Sequence, residues 1–304
     1  KAKLAEEGFS TSADEIERRL SLMNEMRSLL MLERDFPDGD YPDPAPLVAK
    51  IRVEGSYLLA AEADQLRKAL VTVGAIAEFI LGRGGARYPR LWELSRRVTL
   101  FPEIVRAIDA ILDDRGEVKD SASPELQQVR RAIREREGQA AKRLQQVLQR
   151  AKQAGIVDAD AVLSVRDGRP VIPVAAANKR KLQGFIHDES ATGRTFYVEP
   201  VEVVEINNEL KELEYAERRE VVKVLSTFTE SIRPDAEAIA DAGDYLSSVD
   251  MIRAKARWAL ANDAGKPILS TDDRLELRTA RHPLLQQTLR AQGREVVLFI
   301  GISR

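Results

Sequence analysis

Two long helical stretches of matched length, separated by a short strand-forming segment, constrain this chain more than any other feature. Ser123–Ala154 opens with a serine fit to cap, a proline suited to the first turn and a glutamate facing the positive end of the helix dipole. It contains no breaker other than Gly138, and at 1.5 Å per residue it reaches roughly 45 Å. Leu126, Val129, Ile133, Ala140, Leu144 and Val147 recur in steps built from three and four, a narrow seam of the coiled-coil type. Val201–Ile232 carries a similar seam of Val203, Ile206, Leu210, Leu213, Val221, Val224 and Phe228, and Pro234 stops it. Matched lengths and seams predict antiparallel packing of the two.

The segment between them reads as two strand pairs. Asp167-Gly168 is a strong hairpin turn between Leu163–Arg166 and Val171–Val174, and Gly184–His187 pairs with Thr195–Val198 around Ser190–Gly193. Pro170 and Pro173 lack a ladder donor and predict edge or bulged positions. A small sheet carried between two long helices is an arm with a tip.

The flanks are helical as well. Ser10–Glu33 places Ile16, Leu20, Met23, Leu29 and Leu30 on one face. Asp35–Pro46 reads as a loop, followed by helices over about Leu59–Leu81, Tyr88–Val98 and Phe101–Leu112. Asp235–Asn262 is a helix pair or one long helix. Near residue 270 the pattern turns to α/β, with strands expected at Leu275–Arg278 and Val296–Ile300. The chain starts at Lys1 rather than Met and stops soon after this change, so the expectation is a fragment whose tail opens a further, truncated domain.

Composition narrows the chemistry. There are no cysteines, which removes disulfides, thiolate metal sites and cysteine nucleophiles. No apolar run approaches the ~18 residues of a membrane span. The only histidines are His187 and His282. His187 lies in His-Asp-Glu-Ser, but neighbouring strand residues point apart, so a catalytic triad is poor geometry and a structural turn is expected. His282, before Pro283, also reads as structural. Asp35, Asp38, Asp40 and Asp43 miss the calcium-loop spacing. Gly82, Gly84 and Gly85 end a helix, and Trp92 and Trp258 read as core.

The whole chain carries net charge -2, so binding to a polyanion needs a local patch. Glu125–Glu199 supplies one, with 14 Lys and Arg against 9 Asp and Glu. The candidate phosphate contacts are Lys179, Arg180, Lys181, Arg194 and Arg169 on the strand segment, with Arg130, Arg131 and Arg134 on the preceding helix. The rival reading is a solvated coiled-coil face with ordinary turn residues.

Several long strings carry a family likeness. Gly116–Glu135 (GEVKDSASPELQQVRRAIRE), VRDGRPVIPV with GFIHDESATGRTFYVEP, VVEINNELKELE (Val203–Glu214) and RHPLL (Arg281–Leu285) resemble the second paralogue branch of the bacterial MutS family, in that family's order. The resemblance implies a mainly α fold: a helical core over residues 1–119, lever helices and a small β-containing clamp over 120–235 with its tip near 161–200, return helices over 236–269, and the opening strands of an α/β, ABC-type ATPase domain over 270–304. It implies a homodimer, joined through the ATPase domain, that uses ATP and Mg, clamps duplex or branched DNA and suppresses recombination. In this branch the mismatch-reading domain is absent and a C-terminal Smr nuclease domain usually follows. These residues contain no G-x-x-x-x-G-K-[ST] pattern, Walker B acid or Smr segment, so no catalytic, cofactor or metal residue is expected among them, nor ATP turnover by them alone. Val296–Ser303 reads either as the strand entering a P-loop or as two pieces joined across a gap. The expected location is cytoplasmic, associated with the nucleoid or the ribosome. Two rivals remain: a rescue factor meeting ribosomal RNA on stalled or collided ribosomes, and a coiled-coil scaffold without a nucleic-acid role.

Overall fold

The computed structural model describes residues 8–166, 168–270, 275–277, 280–294 and 302–303. The protein is mainly α with a four-stranded antiparallel sheet and a separate two-stranded pair, and it divides into two compact units: Lys1–Ile108 with Thr229–Arg304, and Asp109–Phe228.

The first unit is a helical bundle. Helix α1 (Ala13–Leu32) packs on α4 (Pro89–Ser95) and α8 (Ala236–Ala261), while α2 (Ala45–Ile51) and α3 (Ala60–Gly82) also lean on α8. The core is built from Met26, Leu29, Ile76, Ile80, Leu91, Leu246 and Val249. Polar ends are satisfied locally. The Glu25 carboxylate accepts from the backbone N–H groups of Arg90 and Leu91 at 2.9 Å, stabilising the start of α4 as a negative charge should. The Arg233 guanidinium donates to the carbonyls of Ile51 at the end of α2 and of Val53 and Ser56 beyond it. Gly243 lets α8 approach Pro44, where a Cβ would meet the proline Cγ at 2.7 Å. Helix α9 (Pro283–Ala291) starts at His282, whose Nδ1 accepts from the Leu285 N–H at 3.3 Å, so this histidine is structural. Strands β5 (Glu276–Leu277) and β6 (Ile302–Ser303) pair antiparallel, whereas the strand expected over Val296–Ile300 lies outside the described residues, as does Arg278.

The bounds expected from periodicity hold within a few residues, with one difference. Ala45–Ile51 is helical where a loop was expected to run to Pro46, because Pro44 and Pro46 suit a first turn. Of the two forms expected for Asp235–Asn262, the structure shows the single helix, α8. Trp258 is not core but 52% exposed, since burial of Ala256 and Ala259 fixes a helical phase that turns it outward.

Helix α5 (Pro102–Ile111) spans the point in the chain where the first unit passes to the second, and a turn then leads to α6 (Pro124–Gln153) of the second unit, which Ser123 caps by accepting from the Leu126 N–H at 3.0 Å. Helix α7 (Val201–Ile232) runs antiparallel to α6, as three cross-helix ion pairs show: Arg130–Glu217 at 2.7 Å, Arg136–Glu209 at 2.8 Å and Arg150–Glu202 at 3.5 Å. The seam is buried at Leu126, Leu144, Val147, Val203 and Phe228 but only half-buried at Val129, Ile133 and Leu210.

The sheet has the order β1-β2-β4-β3, with β1 (Ser164–Arg166), β2 (Arg169–Ala175), β3 (Gly184–Glu189) and β4 (Thr195–Pro200). Gly168 of the first turn has φ 73°, the left-handed conformation that glycine tolerates; Asp167 lies outside the described residues. Both prolines of β2 sit on an interior strand, against the edge expectation. Pro170 pairs only with Val165 of β1 and Pro173 only with Tyr197 of β4, so each has one unladdered side where the missing N–H does no harm.

Candidate nucleic-acid interface

The alternation of β2 and β4 fixes what the sheet can present. Ile172, Val174 and Val198 face the unit's core and meet Leu144, Val147, Leu148 and Ala151 from the end of α6 and Val203 from the start of α7. The sheet is thus seated where the two long helices end and begin.

The basic loop leaves this seat at the end of β2. A 3-10 turn, Ala176–Asn178, follows, and the Asn178 side chain donates to the carbonyls of Ile156 at 3.0 Å and Gly155 at 3.4 Å. Leu182 then returns to the core at 9% exposure. Lys179, Arg180 and Lys181 therefore span two anchors, and all three are exposed. The Ala176 N–H donates to the Arg194 carbonyl at 2.9 Å, which brings the β3–β4 loop beside the same end of the sheet. Lys179 holds its ammonium 4.3 Å from the Phe196 ring centroid, a cation–π contact that leaves its charge uncancelled. Among the described residues, none of Lys179, Arg180, Lys181 and Arg194 forms an ion pair.

The other candidates are placed differently. Arg169, at the opposite end of β2, donates from Nη1 to both Glu199 oxygens at 2.9 and 3.0 Å and from Nη2 to Asn208 at 3.0 Å. Arg130 donates to Glu217 at 2.7 Å, Asp120 at 2.8 Å and the Val118 carbonyl at 2.7 Å, so it ties α6 to α7 and to the preceding turn. Arg134 shares Asp120 at 2.9 Å, and the hydrogen bonds from Arg130 and Arg134 hold the Asp120 carboxyl below its usual range. Arg131 is exposed without an ion pair among the described residues. These three arginines lie roughly 30 Å along α6 from the basic loop, at 1.5 Å per residue. The structure therefore gathers Lys179, Arg180, Lys181 and Arg194, separates the α6 arginines from them, and engages Arg130, Arg134 and Arg169 with carboxylates.

Sequence reasoning missed Glu199, which is 1% exposed. It accepts from Arg169, from Asn207 Nδ2 at 2.6 Å and from His187 Nε2 at 2.5 Å. Burial pushes its carboxyl up, but the hydrogen bonds from Asn207, His187 and Arg169 outweigh burial and hold it below the usual range. His187 belongs to β3 rather than to a turn, at the register shift between Ile186 and Asp188. The available signal was an acid at an alternating strand position, opposite Phe185, preceding a helix that begins with two asparagines in its second turn. Among the described residues no cluster of three or more His, Asp or Glu could hold a metal ion, and no helix is long and apolar enough to cross a membrane.

No protein-family model matches the chain. Curated relatives do. Endonuclease MutS2 of Bacillus velezensis is 31% identical over 279 residues, covering 91% of this chain and 35% of the relative. That of Pelotomaculum thermopropionicum is 32% identical over 269 residues, covering 88% and 34%. A putative endonuclease MutS2 of Bacillus subtilis is 31% identical over 278 residues, covering 91% and 35%. The chain spans about a third of the length of the curated relatives it matches. With that likeness running through the helical bundle, the paired helices and the small sheet, the chain belongs to the MutS2 branch of the MutS family.

Proposed function

We propose that this chain is the DNA-holding part of a MutS2-type protein, in which α6 and α7 carry the sheet as a clamp and the basic loop meets the phosphate backbone of duplex or branched DNA. Residues 270–304 would open the ATPase domain, through which two copies would join and where ATP and Mg would act. The whole protein's role would be to restrain recombination by gripping branched DNA. One observation supports this reading most: Lys179, Arg180, Lys181 and Arg194 collect at one end of the sheet without carboxylate partners among the described residues, while Arg169 at the other end of β2 and Arg130 on α6 are neutralised. A structural scaffold has no use for an unneutralised cluster, because like charges repel. Phosphate contacts position without reading bases, so binding should tolerate sequence.

The test is fluorescence anisotropy of the 304-residue chain with a duplex and with a four-way junction of unrelated sequence. Four phosphate contacts predict a log–log salt slope of about -3.6. Binding that depends on base sequence or shows a flat salt response would reject the reading.

A further inference from the structure

The small sheet carries an apolar margin that phosphate contacts leave unused. In the order β1-β2-β4-β3, strand β3 lies at the edge. Near its start Phe185 is 59% exposed and Ile186 is 51% exposed. Phe185 stands opposite Glu199 and Ile186 opposite Val198, so the pair puts apolar surface on both sides of the margin. Among the described residues, the Phe185 ring meets no other aromatic ring and no cation.

Its surroundings select the occupant. Phe185 follows the basic loop, four residues beyond Lys181, at most about 14 Å along the chain. The loop cations have no carboxylate partner among the described residues. The nearby acids are largely satisfied: Asp188 pairs with Arg166 at 2.8 Å, and Glu199 accepts from Arg169, Asn207 and His187. Glu189, exposed at the far end of β3, is one acid against Lys179, Arg180, Lys181 and Arg194, so positive charge remains in surplus. The register shift between Ile186 and Asp188 is a bulge, which makes β3 a poor template for an added protein strand. A polyanion that also offers flat apolar faces is a nucleic acid with unpaired bases. Within continuous duplex the bases stack on one another and present no free face.

We propose that Phe185 stacks on an unpaired base, so that the sheet prefers DNA interrupted by single-stranded nucleotides over continuous duplex. This rests on the DNA-holding reading above and adds a selectivity that the cations alone do not supply. The cations grip the backbone of either DNA, whereas the ring gains a partner only where a base is free. Stacking engages any base, so the preference is for unpaired structure and not for sequence.

The test is fluorescence anisotropy of the 304-residue chain with two labelled probes of equal length, a continuous duplex and the same duplex with a gap of unpaired thymines. The native chain should bind the gapped probe more tightly. Phe185→Ala should weaken the gapped probe roughly fivefold or more, leave the continuous duplex within about twofold, and leave the salt slope of both unchanged, since no cation is lost. Phe185→Leu keeps apolar bulk without the aromatic face and should lose the same preference, while Phe185→Trp should keep it. The ring is largely exposed, so these variants should melt as the native chain does. Equal binding of the two probes by the native chain, an equal loss on both probes in Phe185→Ala, or full preference retained in Phe185→Leu would overturn the inference and leave the phosphate reading standing. Binding of neither probe would overturn both.

Discussion

His187 Nε2 donates to the Glu199 carboxylate at 2.5 Å, and that carboxylate is 1% exposed. Arg169 and Asn207 complete its shell, so one buried acid ties β2, β3 and α7 to β4. An acid held below its usual range contributes stability above the unfolded glutamate value of about 4.3 and loses it as pH falls through the lower folded value. Melting between pH 6 and pH 3 should therefore fall more steeply in the native protein than in Glu199→Gln. Parallel curves would contradict the role assigned to this carboxylate.

Gly184 sits opposite Pro200, and a Cβ there would overlap the Glu199 carbonyl and lie 2.8 Å from Val198 Cγ1. Both neighbours are held by the ladder and cannot yield cheaply. Gly184→Ala should cost about 1–3 kcal/mol in urea unfolding. A neutral result would mean that β3 shifts freely on β4.

Arg130 and Arg131 are adjacent but differ in surroundings. Arg130→Ala leaves Glu217 and Asp120 without a shared partner and should cost about 1–3 kcal/mol. Arg131→Ala should stay within about 0.5 kcal/mol. Equal losses in urea unfolding would show that the cross-helix strut adds nothing.

Burial also ranks the seam. Leu144 is 2% exposed and packs under the sheet, whereas Leu210 is half-buried. Leu144→Asp should cost roughly 3 kcal/mol or more, and Leu210→Asp clearly less, because water reaches the second charge. Comparable drops in melting temperature would argue that the mid-seam is drier than the structure has it.

Much of this architecture was legible in the chain. Long periodic runs with Ser123-Pro124-Glu125 at the start and Pro234 at the end leave little choice of helix, and Gly168 marks its turn by chemistry alone. What escaped depends on tertiary placement. Trp258 looked like core because it stands in a helical stretch beside apolar residues, but its phase on α8 is set by Ala256 and Ala259. Pro170 and Pro173 suggested an edge because a sequence does not reveal that one strand has different partners along its two halves. For the candidate interface, the basic run Lys179–Lys181 was plain, but which cations stay unneutralised was not. Arg130, Arg134 and Arg169 meet carboxylates distant in sequence, at Glu217, Asp120 and Glu199.

The most direct test of the central claim is the salt dependence of DNA binding by a triple variant, Lys179→Ala with Arg180→Ala and Lys181→Ala. Removing three phosphate contacts should reduce the log–log salt slope by about 2.7 and weaken duplex and junction alike. An affinity and slope unchanged from the native protein would contradict the account and move the contact surface away from the loop between β2 and β3.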